Sequence, residues 1–158
     1  MARNDKPRIA VDSGIVISHV IGDLPQHAGG IQSLFHEVDT DQVLLYGSTL
    51  LLVEVLGGRF KKPPDSAKEN QILSLLENPQ VVTLAQVTRQ VAMTARDFRR
   101  KYHLKSPDAI HLATAVFVGA DAFMTTDADD FPIGGTVNGV KILLPASALG
   151  AEVLPPAE

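Results

Sequence analysis

Arg8-Ile-Ala-Val-Asp12, followed by Ser13-Gly14 and the apolar segment Ile15 to Ile21, predicts a short strand ending on a carboxylate, a turn and a helix. Gln42-Val-Leu-Leu-Tyr46 repeats the pattern: an apolar run of strand type, then Ser48 capping a helix from Thr49 to Leu56 that stops at Gly57-Gly58. Between these units, Gly22 to Gly30 reads as a loop, and Ile31, Leu34, Phe35 and Val38 mark one face of a second helix. After Pro63-Pro64, Asp65 or Ser66 caps a helix to Glu77, and Pro79 to Leu84 reads as a further strand. Val87, Val91, Thr94, Ala95 and Phe98 give an amphipathic helix that ends in a basic cluster. Ser106-Pro107-Asp108 has the form of a helix start, with Ser as cap and Pro at the first position. A strand within Asp121 to Thr126 then leads to Asp127, and Val140 to Leu144 is a final strand. Alternating strands and helices predict an α/β fold with a central, mainly parallel sheet. Such sheets take ligands beyond the carboxyl ends of their strands, where Asp12 and Asp127 both fall.

The 158 residues, 45% hydrophobic, suit one compact core, expected over residues 1–146 with a C-terminal tail at 147–158. No apolar run approaches the ~20 residues of a membrane span. The first eight residues are charged where a secretory signal is apolar, so a cytoplasmic protein is expected. Without cysteine there are no disulfides and no thiolate-held metals, which leaves oxygen or imidazole as ligands. His19, His27, His36, His103 and His111 lack the spacing of a zinc motif. A net charge of -4 argues against a general nucleic-acid coat, although basic residues gather at Arg59-Phe-Lys61-Lys62 and from Arg96 to Lys105.

Each acidic residue has an ordinary explanation. Asp12 suits an Asx-turn after a strand, Glu54 is the sole charge of an apolar helix, Asp108 favours a helix dipole, and Thr125-Thr-Asp-Ala-Asp-Asp-Phe131 suits a polar loop. Their placement together points elsewhere: one acid at a strand end, one inside an apolar helix, one at a helix start and one at a later strand end. Converging carboxylates repel, and a hard divalent cation is the simplest means of keeping them ionised in one pocket. Oxygen ligation suits Mg²⁺ or Mn²⁺.

In this order the motifs resemble the PIN-domain ribonucleases, especially their VapC-like toxin branch in bacteria and archaea. The resemblance rests on Ile9-Ala-Val-Asp-Ser-Gly-Ile-Val16, on Ser48 and Glu54, on Ser106-Pro-Asp-Ala-Ile-His-Leu-Ala-Thr-Ala115 and on Thr125-Thr-Asp-Ala-Asp-Asp-Phe131, spanning nearly the whole chain. It implies a three-layer α/β/α fold with Asp12, Glu54, Asp108 and Asp127 as catalytic acids and metal ligands. Asp130 is implied as an auxiliary acid, and Ser13 and Thr125 as supporting hydroxyls. Two positions depart from the common pattern: Gly14 stands where another small polar residue is frequent, and Asp127 where Asn is frequent.

The implied activity is Mg²⁺- or Mn²⁺-dependent endoribonucleolytic hydrolysis of single-stranded or looped RNA, by the toxin of a toxin–antitoxin pair. Arg59, Lys61, Lys62, Arg99, Arg100 and Lys101 are candidates for steering the RNA backbone. An antitoxin partner and a homodimer follow from the same resemblance. The competing expectation is a non-catalytic PIN-like module that binds RNA or protein. A phosphotransferase using Asp12 as nucleophile ranks last, because Asp12-Ser-Gly lacks the second acid of an Asp-x-Asp motif.

Overall fold

The computed structural model describes residues 6–56 and 66–145. The chain runs β1 (Arg8–Val11), α1 (Ser13–Ile21), α2 (Pro25–Asp39), β2 (Leu44–Ser48), α3 (Leu50–Leu56), α4 (Ser66–Leu76) and β3 (Thr83–Ala85). It continues through α5 (Arg89–Tyr102), α6 (Ser106–Phe117), β4 (Ala122–Met124), β5 (Thr136–Val137) and β6 (Val140–Leu143). The strands form one sheet in the order β3-β2-β1-β4-β6-β5, parallel except for the antiparallel β5–β6 edge. No helix of the described residues is long and apolar enough to cross a membrane.

β1 sits in the middle, with Ile9 opposite Leu45 of β2 and Ala122 of β4. Successive side chains of a strand point to opposite faces, so Ile9 and Val11 enter one core and Ala10 the other. The first core also takes Ile15, Leu34, Leu51 and Ile72, from α1 to α4. The second takes Val91, Phe98, Leu112 and Ala113, from α5 and α6. Helices thus cover both faces, giving the three-layer α/β/α arrangement and explaining why β1 carries an unbroken apolar run. Sheet order reverses between β1 and β4, and at this kind of switch point the connections diverge and leave a crevice. The segments following β1 and β4 begin with Asp12 and Thr125.

Several local expectations shift. The stretch expected as a loop before Ile31 is helical from Pro25, because proline is favoured in the first helical turn. Gly30 has a packing reason to lie in that helix: a Cβ there would overlap the Pro145 carbonyl oxygen. The predicted strand at 42–46 shifts two residues on to Leu44–Ser48, and that at 79–84 shortens to Thr83–Ala85, preceded by a turn through Gln80 and Val81. Ser48 does cap α3, its Oγ accepting from the Leu50 N–H at 3.0 Å. Ser106 is instead the first residue of α6, with Lys105 in the capping position. Strand β5 was not anticipated; Asn138 and Gly139, with φ of 48° and 85°, form the two-residue turn that joins it to β6.

Candidate metal centre

The site grows from the carboxyl ends of β1 and β4. Asp12 occupies the N-cap position of α1 with extended backbone; its side chain makes no capping hydrogen bond of full geometry, although the Ile15 N–H in the first turn lies close enough to stabilise its charge. Its carboxylate is buried, 6% exposed, and Oδ2 accepts a 2.6 Å hydrogen bond from Thr125 Oγ1. Oδ1 is buried too, with no hydrogen-bond partner among the described residues. Gly14 keeps the space beside it open: a Cβ at that position would stand 3.4 Å from Asp12 Oδ1 and 2.7 Å from Thr126 Oγ1. The departure noted at residue 14 therefore relieves crowding against the Thr126 hydroxyl, while a Cβ would only touch the carboxylate. Burial raises the Asp12 pKa, and Glu54 adds slightly to the rise, while the Thr125 hydrogen bond, His111 and the backbone N–H of Ile15 oppose it.

Asp108, in the first turn of α6, meets Asp127 and Asp130 from the loop after β4. One carboxylate oxygen from each lies within 4.8 Å of the others, so these three acids can share a cation. Burial, and then the negative charges of Asp12, Asp127 and Asp130, push the Asp108 pKa up to about 6. The loop is shaped by Asp127 itself, whose Oδ1 accepts from the N–H groups of Asp129 and Asp130, each at 3.1 Å. Thr125 Oγ1 accepts from the Asp127 N–H at 3.0 Å while donating to Asp12, which ties the two strand-end acids together. Lys105 Nζ lies 4.0 Å from Asp130 Oδ2 at the outer rim.

Glu54 stands slightly apart, gripped on both oxygens. His111 Nε2 contacts Oε1, and Ser13 Oγ donates to Oε2 at 3.3 Å. The predicted acids thus divide into the Asp108–Asp127–Asp130 group and the Glu54–His111 pair. Asp12 lies within electrostatic reach of both. His111, 2% exposed, is a residue whose partner the sequence did not reveal. Its place one helical turn after Asp108 was the available signal.

Of the basic residues singled out, Arg99, Arg100 and Lys101 are exposed on α5. Arg59, Lys61 and Lys62 lie outside the described residues.

An α/β sheet whose switch point is lined with carboxylates describes a class of site suited to divalent cations. The PIN domain family model matches residues 9–132, and the chain belongs to that family. No curated protein matches it in sequence. Among solved structures it is similar to the sarcin–ricin-loop-cleaving toxin VapC20 of Mycobacterium tuberculosis, at 17% identity and a TM-score of 0.62, over 82% of this chain and 97% of that one. It is also similar to VapBC2 of Rickettsia felis bound to a promoter DNA fragment, at 10% identity and a TM-score of 0.61, over 87% and 98% of the two chains. A toxin–antitoxin complex from Klebsiella pneumoniae aligns at 20% identity and a TM-score of 0.57, over 84% and 94%. At these identities the likeness is one of fold.

Proposed function

We propose that this chain is a metal-dependent endoribonuclease acting on single-stranded or looped RNA, and the toxin of a toxin–antitoxin pair. The observation that carries the reading is the gathering of Asp108, Asp127 and Asp130 oxygens within 4.8 Å, beside the buried and partnerless Oδ1 of Asp12. A buried carboxylate oxygen without a full hydrogen bond, next to three acids that can share a cation, fits a hard divalent ion better than a closed polar network. Family membership and the fold shared with toxins of toxin–antitoxin systems support the choice of reaction.

On this reading Asp12, Asp108 and Asp127 hold Mg²⁺ or Mn²⁺, with Asp130 as an auxiliary ligand and Glu54 completing the acidic rim. The bound ion supplies Lewis-acid polarisation of a phosphodiester and an acidified water. Thr125 fixes the Asp12 carboxylate by donating to Oδ2, and Oδ1 would serve as the ligand atom. Ser13 and His111 fix both oxygens of Glu54, which on this reading would hold the acidic rim and help take up a proton from the attacking water. The chain provides orientation and charge, and no covalent enzyme intermediate is required.

The test is cleavage of RNA with Mg²⁺, Mn²⁺ or a chelator, comparing wild type with Asp12→Asn and Asp108→Asn at matched folding. Cleavage that needs the metal and fails in both variants is expected. Metal-independent cleavage, or full activity in either variant, would overturn the mechanism. Growth arrest on expression, relieved by co-expressing a neighbouring small gene product, tests the toxin assignment separately.

A further inference from the structure

A cleft between α5 and α6 is built from residues that the acidic site does not use. It encloses about 660 Å³, inside the roughly 300–1,000 Å³ typical of small-ligand sites. Arg96, Arg99, Arg100 and His103 line it above an apolar floor that includes Ala95 and Ile110. Arg96, Arg99 and Arg100 follow i, i+3, i+4 spacing and form one stripe along α5, and His103, the left-handed C-cap that ends the helix, joins them at the cleft. Lys101 falls off that stripe, its ammonium 5.4 Å from the centre of the Tyr102 ring. The three arginines are exposed, and among the described residues no carboxylate pairs with them. Guanidinium groups clustered around one concavity repel each other until an anion joins them, and their planar forks match phosphate oxygens.

The cleft also has a defined relation to the acidic cluster. Ser106 lines it together with Ile110, one turn further along α6, while Asp108 lies between them in sequence and so projects from the opposite side of the helix. The first turn of α6 therefore separates cleft from cluster by about one helix diameter, roughly 10–12 Å. Lys105 stands at that turn.

We propose that the α5–α6 cleft is a second anchoring site for the RNA strand cut at the acidic cluster. A phosphodiester is held by Arg96, Arg99 and Arg100, with His103 beside it and an adjoining base against the apolar floor. The strand passes over the first turn of α6 to reach it. This rests on the nuclease reading for the identity of the strand. The shared turn of α6 favours a strand continuous with the acidic site over an unconnected acidic peptide.

Fluorescence anisotropy in chelator, where no cleavage occurs, tests this with labelled single-stranded RNAs of ~4 and ~12 nucleotides, which fall within the site sizes of single-strand binders. Arg96→Gln/Arg100→Gln is compared with Lys6→Gln/Arg89→Gln, a matched charge loss outside the cleft. Expected is a loss of about 10-fold or more in affinity for the longer RNA in the cleft variant alone, with the salt slope smaller by roughly 0.7 per phosphate contact removed. The shorter RNA, which reaches the arginines by itself, should also weaken in the cleft variant, by no more than the longer one, and bind the other two proteins alike. Equal losses in the two double variants, unchanged binding of the longer RNA, or its displacement by an acidic peptide without effect of the cleft substitutions, would overturn the proposal. So would a loss accounted for by altered self-association in light scattering. If the cleft variant loses RNA binding but wild type cuts nothing with Mg²⁺ or Mn²⁺, the cleft stands and the nuclease reading falls.

Discussion

His111 Nε2 contacts Glu54 Oε1 across the space between α6 and α3, joining residues 57 positions apart in the chain. With its imidazole buried, His111 is both a packing element and the anchor of a carboxylate that faces the site. His111→Ala should lower folding stability by about 2–4 kcal/mol, through the cavity and the lost partner together. A double-mutant cycle with Glu54→Gln, followed by urea unfolding, should return a coupling of roughly 0.5–3 kcal/mol. Additive effects would mean that the contact holds nothing.

Thr125 hydroxyl chemistry should matter more than Thr125 shape. Thr125→Val keeps the volume but removes the donor to Asp12 and the acceptor for the Asp127 N–H. The expected cost is about 1–3 kcal/mol, with a matching fall in cleavage. Thr125→Ser restores the hydroxyl and should recover most of both. Equal behaviour of the two variants in thermal melts and cleavage assays would remove Thr125 from the supporting role.

The raised Asp108 pKa, about 6 against an ordinary 3.8, means that the folded protein binds this proton more tightly than the unfolded chain. Metal-free stability from this group is therefore full below about pH 4 and is lost as pH rises through about 6. The Asp12 shift has the same sign. In chelator, the difference in urea midpoint between Asp108→Asn and wild type should grow in favour of the variant across that window. Mg²⁺ should offset the loss, stabilising wild type more above the window than below it, because the ion needs ionised ligands. A variant no more stable than wild type at neutral pH would contradict the carboxylate repulsion.

Adjacent glycines in α2 should respond in opposite directions. A Cβ at Gly29 meets nothing within 4 Å, so Gly29→Ala should stabilise by about 0.4–1 kcal/mol through reduced freedom of the unfolded chain. Gly30→Ala forces a methyl into the Pro145 carbonyl and should destabilise by roughly 1–3 kcal/mol. Paired thermal melts decide it, and equal shifts would place the 145 end of the chain elsewhere.

What could be read from the sequence follows from how local each signal was. The buried strand β1, the helix beginning near Asp108 and the alternation that builds the sheet all declare themselves within a few residues. The position of Asp12 was legible because a strand end in a parallel sheet is also a place in space, whereas β4 stops at Met124 and leaves Asp127 in the loop beyond it. The helical start of α2 was hidden by Gly29 and Gly30, and the reason for Gly30 is a contact with Pro145, over a hundred positions away. The short strand β5 was legible in principle, since Asn138-Gly139 is a strong hairpin signal, but two residues leave no periodicity to notice. Glu54 held by Ser13 and His111, and the joining of Asp130 to Asp108 and Asp127, depend on packing between elements distant in the chain.

The bond between Asp12 and Thr125 spans 113 positions, and β1 and β4 must pair before it can form. Such non-local contacts come late, because the ends of a long loop must be brought together first. On a ribosome, the first of these acids emerges long before the segment that completes its surroundings. The centre is therefore assembled only after β4 has left the exit tunnel, and a chain interrupted earlier carries the acids without the site.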